Sequence, residues 1–133
     1  MEGATINYLA VLAAAVSAFL LGGLWYSVLF KSAWLAASGV TPEQVEAGNP
    51  AVIFGLAFVL SLVAALVFAM FLGPRPSLAL GLGAGFSAGL CWVAGSFGIN
   101  YLFEGKSVKL WLINAGYHTA QFTIYGLILG LWH

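Results

Sequence analysis

Residues 112–126 read LINAGYHTAQFTIYG, and whether this run crosses a membrane decides the fold. Leu112, Ile113, Ala115, Phe122 and Ile124 make it apolar, yet it carries Asn114, His118, Gln121 and Tyr125 in its middle. Those four are spaced by four, three and four residues, which places them on one face of a helix. A polar stripe on an apolar helix suits either a soluble core helix or a membrane helix that turns its stripe toward protein.

The rest of the chain settles the setting. Of its 133 residues 62% are hydrophobic and 6% charged, with a mean hydropathy of +1.03, whereas a soluble domain carries about 25% charged residues to solvate its surface. The eight charges are Glu2, Lys31, Glu43, Glu46, Arg75, Glu104, Lys106 and Lys109, and all fall in gaps between long uncharged runs. That is the pattern of a multi-pass membrane protein. With a net charge of zero and no basic cluster, nucleic-acid binding is excluded. One cysteine, Cys91, cannot form an intrachain disulfide.

A bilayer core of about 30 Å needs roughly 20 apolar residues as a helix. Four runs satisfy this, at residues 4–30, 50–72, 77–103 and 108–132, and the expected fold is an all-α four-transmembrane-helix bundle in one membrane domain. Asn49-Pro50, Ser77 and Ser107 supply start signals for the last three. Between the first two, Thr41-Pro42-Glu43-Gln44 fits a capping box on a short interfacial helix that Gly48 could end. Gly73-Pro74-Arg75-Pro76 reads as a tight turn that makes the second and third spans antiparallel neighbours. The first run is a retained span rather than a signal peptide, because Met1-Glu2 lacks a positive n-region and the apolar run continues past Ala18. Lys31, Lys106 and Lys109 oppose Arg75 across the bilayer, which favours both termini outside.

Helices associate in lipid by close packing, so stripes of small residues mark contact faces. Ala10, Ala14, Ala18 and Gly22 form one on the first span, and Ala57, Ser61, Ala65, Ala69 and Gly73 one on the second. The third span has two: Gly81, Gly85 and Gly89, and on another side Gly83, Ser87, Cys91 and Gly95. One of these faces would meet the rest of the bundle and the other is a candidate face for another subunit, and a homo-oligomer is expected. The similarity of WYSVLFKS at 25–32 to NYLFEGKS at 100–107 suggests a weak internal repeat.

Polar groups near mid-membrane must bond to protein or water, because lipid offers no partner. Asn114, His118, Gln121 and Tyr125 are therefore expected to meet Ser96 and Asn100 of the third span and Trp25, Tyr26 and Ser27 of the first. The leading reading of this cluster is transport-like, a pocket around His118 for a small solute or proton. The alternative is a non-transporting structural or lipid-binding subunit whose cluster is helix-packing glue. No enzyme, metal or cofactor is expected: His118 and His133 lie 15 residues apart, with no acid near either, and no paired carboxylates or oriented nucleophile are evident. Gly81 to Gly85 lies in a span and lacks the context of a phosphate loop.

INYLAVL at 6–12, LGGLWYS at 21–27, KSAWLAASG at 31–39, NYLFEGKSVKLWLINAGYH at 100–118 and GLILGLW at 126–132 together resemble the DUF1761 family of small, mostly bacterial membrane proteins. The resemblance implies a four-span fold, a bacterial inner membrane and no known activity. It also implies that Asn7, Trp25, Tyr26, Ser27, Asn100, Asn114, Tyr117 and His118 take part in whatever the protein does. The chain departs from the family pattern after the first span, where it has Val28 and no glycine before Lys31.

Overall fold

The computed structural model describes residues 6–133, and residues 4 and 5 of the expected first span lie outside that range. The chain is all helical among the described residues: α1 Tyr8–Leu29, α2 Lys31–Ser38, α3 Pro42–Ala47, α4 Pro50–Leu72, α5 Leu78–Glu104 and α6 Val108–Leu131. Side chains start these helices as their residue types dictate. Asn49 accepts from the amides of Ala51 and Val52, Ser77 from Leu80, and Ser107 from Leu110, at 3.0–3.3 Å. Thr41 and Gln44 form the full capping box of α3. Asn7 caps α1 by accepting from Ala10 at 3.1 Å, a start signal that the sequence reading did not use.

Two features differ from expectation. Two short helices, not one, connect the first two long helices: α2 is built from the helix formers of KSAWLAAS and stops where Gly39 turns left-handed at φ 76°. The turn at Gly73–Pro76 is tight, but α4 and α5 do not pack along each other. Instead α5 packs on α6, and α4 on α1. Complementary small faces decide this. Gly81, Gly85 and Gly89 of α5 lie against the backbone of α6 at Gly126, Phe122 and Thr119, an approach that only glycine permits. Ser61, Ala65 and Ala69 of α4 join Ala10, Ala14, Ala15 and Ala18 of α1 in the core. Ala57, the first member of the α4 stripe, is exposed.

α6 sits centrally, against α1, α4 and α5. It buries Leu110, Ile113, Asn114, Ala115, Gln121, Tyr125, Gly126, Leu129 and Gly130. The outer helices instead expose large apolar side chains such as Leu20, Leu60, Phe71, Trp92 and Leu102. Among the described residues three helices, α1, α4 and α5, are long and apolar enough to cross a membrane. α6 matches them in length, with 24 residues, but its polar stripe lowers its hydropathy. The least apolar long helix is thus the one surrounded by protein.

Two π-helical turns interrupt the long helices, at Trp25–Leu29 in α1 and Ala88–Val93 in α5. A π turn admits one extra residue and rotates the helix beyond it. The first of them carries Trp25 and Tyr26, both of which reach α6.

Candidate functional site

The stripe on α6 divides into two hydrogen-bonded groups. In the first, Tyr26 donates from its hydroxyl to Asn114 Oδ1 at 2.6 Å, and Asn114 Nδ2 donates to the Tyr101 hydroxyl at 2.7 Å. Both ends of the Asn114 amide are therefore engaged, one by α1 and one by α5. Beside it, Trp25 Nε1 donates to the carbonyl of Ile113 at 2.9 Å, and its ring lies over Gly116, where a Cβ would come within 2.9 Å. Trp111 Nε1 donates to the carbonyl of Ala94 at 2.8 Å, tying α6 to α5 just past the π turn.

In the second group, His118 Nδ1 bonds to Gln121 Oε1 at 2.6 Å, which makes the ring nitrogen the donor because an amide oxygen only accepts. Gln121 Nε2 then donates to the Tyr125 hydroxyl at 2.7 Å. Tyr125 is fully buried, and its hydroxyl meets Ser61 Oγ at 2.7 Å and the Ser61 carbonyl at 3.1 Å. Ser61 Oγ lies 3.5 Å from the carbonyl of Ala15. The chain of bonds runs from α6 through α4 to α1.

Tyr117 separates the groups without a hydrogen bond to either. Its hydroxyl donates to the Ala18 carbonyl at 2.9 Å and sits over Gly22, where a Cβ would lie 3.2 Å away. Its ring meets Tyr26 and His118 edge-on, while Phe97 of α5 stacks on His118 at 5.0 Å with planes 15° apart. Among the described residues, no buried side-chain nitrogen or oxygen lacks a hydrogen-bond partner.

The structure thus brings Trp25, Tyr26, Asn114, His118, Gln121 and Tyr125 to one seam. Ser27, Ser96 and Asn100 do not join it: all three are exposed. The π turns explain part of this correction, since a regular helical count through Trp25–Leu29 and Ala88–Val93 misplaces the residues beyond them. Ser96 and Asn100 instead line a groove of about 320 Å³ on the outer surface of α5, with Trp92, Val93 and Phe97. The sequence reading of the cluster did not include Ser61, Phe97, Tyr101 or Tyr117, of which the family resemblance alone named Tyr117. Ser61 was visible as a packing residue, a label that did not point to α6. A Cβ at Gly22 would meet the Tyr117 hydroxyl, and one at Gly81, Gly85 or Gly89 would meet the backbone of α6.

A second concavity lies at the other end of the bundle. About 620 Å³ in volume, it is bounded by the start of α1, the turn between α4 and α5, and the end of α6. There Asn7 Nδ2 approaches the Trp132 carbonyl at 3.4 Å.

In comparison with known proteins, a family model described as "Protein of unknown function (DUF1761)" covers residues 9–130. No curated protein and no solved structure matches the chain.

Proposed function

The chain belongs to the DUF1761 family of proteins of unknown function, and from that premise we propose that it is a non-transporting structural or lipid-binding subunit of a bacterial inner membrane. In this reading α6 is a fourth crossing, shielded from lipid by α1, α4 and α5. Its 24 residues extend about 36 Å at 1.5 Å per residue, enough for a core of about 30 Å. Both termini then lie outside, opposite the side that holds Lys31, Lys106 and Lys109. The open small-residue face of α5, at Gly83, Ser87, Cys91 and Gly95, meets a second copy of the chain.

One observation carries the choice of glue over pathway: among the described residues, every buried side-chain nitrogen and oxygen of the seam has a hydrogen-bond partner within the protein. Tyr26 to Asn114, Asn114 to Tyr101, and Tyr125 to Ser61 all join different helices. Each such bond contributes about 0.6–2 kcal/mol in a membrane. More usefully, each is made in one register only, since a helix sliding by one residue loses its partner.

A specific observation favours the transport-like reading as the alternative. His118 is only partly buried, and its Nε2 has no hydrogen-bond partner among the described residues. A proton or small solute could use that edge. The two readings separate in proteoliposomes under an imposed pH gradient, followed with an entrapped pH-sensitive dye. A structural subunit is expected to leave the gradient at the protein-free rate. Dissipation that disappears in His118→Ala would establish the pathway instead.

A further inference from the structure

The cavity at the far end of the bundle contains the one cationic side chain on that side of the proposed membrane, Arg75. Its backbone is unusual. Arg75 has φ 51°, the only positive φ at a non-glycine residue among those described, and it is set between Pro74 and Pro76. Arginine is disfavoured there, and glycine or asparagine would fit the turn with less strain. A residue held in that conformation points to a use for its side chain. The guanidinium is exposed, and no hydrogen bond or ion pair joins it to another described residue.

The walls are of a different kind. Leu72 and Leu129 provide apolar surface from the ends of α4 and α6, while Asn7, Trp132 and His133 add polar edges and an indole. Apolar depth, a cationic rim and tryptophan at the helix ends match the layering of a lipid at the membrane interface, with acyl stem below and headgroup above. The volume of about 620 Å³ falls within the range of roughly 300–1,000 Å³ usual for small-molecule sites.

We propose that this cavity binds the phosphate of an anionic phospholipid, with Arg75 as the phosphate receptor and Leu72 and Leu129 against the start of the acyl chain. Guanidinium matches phosphate geometry with two parallel hydrogen bonds, which an ammonium does not. The inference rests on the membrane-embedded reading given above, and it holds whether the seam is glue or pathway.

The test uses the full chain in nanodiscs of phosphatidylcholine with a minor fraction of spin-labelled phosphatidylglycerol or spin-labelled phosphatidylcholine. Electron paramagnetic resonance then reports the motionally restricted fraction of each. Wild type is expected to hold the phosphatidylglycerol probe in preference to the phosphatidylcholine probe. Arg75→Gly, which suits the positive φ and so retains the turn, is expected to lose about tenfold of that preference, the order expected of one hydrogen bond to a charged group. Arg75→Lys should retain part of it, and Lys106→Gln, on the opposite surface, should leave it unchanged. No preference in wild type, or equal loss in Arg75→Gly and Lys106→Gln, would overturn the site. Displacement of the probe by millimolar inorganic phosphate, with no lipid preference remaining, would overturn the lipid assignment in favour of a free anion. Failure to enter phosphatidylcholine discs would overturn the membrane reading and this site with it.

Discussion

Gly81 of α5 and Gly126 of α6 touch backbone to backbone, and a Cβ on either would collide with the other's carbonyl. Gly85 stands in the same relation to the carbonyl of Phe122, and a Cβ on Gly89 would come within 2.6 Å of Thr119 Cα. Backbone atoms cannot swing aside as a side-chain tip can, so the helices must separate to admit a methyl group. Gly85→Ala is therefore expected to destabilise the bundle by about 1–3 kcal/mol, the usual range for overpacking. On α4, a methyl group added at Gly55 would meet nothing within 4 Å, and Gly55→Ala is expected to be neutral or slightly stabilising through helix propensity. Thermal unfolding of the two variants in detergent compares them directly, and equal midpoints would show that the α5–α6 contact is not a close one.

At the scale of the element, α6 links hydropathy to position. Its neighbours are apolar because they face outward, and it can carry Asn114, Gln121 and Tyr125 because each has a protein partner. If α6 crosses the bilayer, Glu43→Cys and Lys106→Cys in a Cys91→Ser background should react with an impermeant thiol reagent from one side only. Arg75→Cys and a C-terminal tag should respond from the other. A C-terminal tag on the side of Lys106 would mean that α6 does not cross. Much of this element structure was legible in the sequence. The caps at Asn49, Ser77 and Ser107 set helix starts, and the glycine period of α5 marked its contact face. Ser96 and Asn100 were misplaced because the π turns carry no compositional signature, and one extra residue rotates the remainder of a helix by about 100°. α2 was missed because a short amphipathic stretch beside longer apolar runs gives little periodic signal.

In the whole molecule, connectivity and packing follow different rules. The turn at Gly73–Pro76 joins α4 to α5, but matching small faces send α4 to α1 and α5 to α6, so sequence adjacency did not predict helix neighbours. That arrangement leaves one small-residue face of α5 open, with Cys91 exposed on it. If a second copy packs there, mild oxidation of native membranes should cross-link Cys91 to Cys91, and Gly95→Leu should abolish the product. Monomer alone under the same conditions would leave that face to lipid. The central claim, that the α6 seam is packed rather than wet, has a more direct test. In the Cys91→Ser background, single cysteines at Asn114, His118, Gln121 and Tyr125 would be treated in intact membranes with a charged, impermeant thiol reagent, with Lys106→Cys as the reactive control. A packed seam is expected to leave all four unlabelled, whereas labelling that declines in steps from Asn114 to Tyr125 would show water reaching the middle of α6 and contradict the claim.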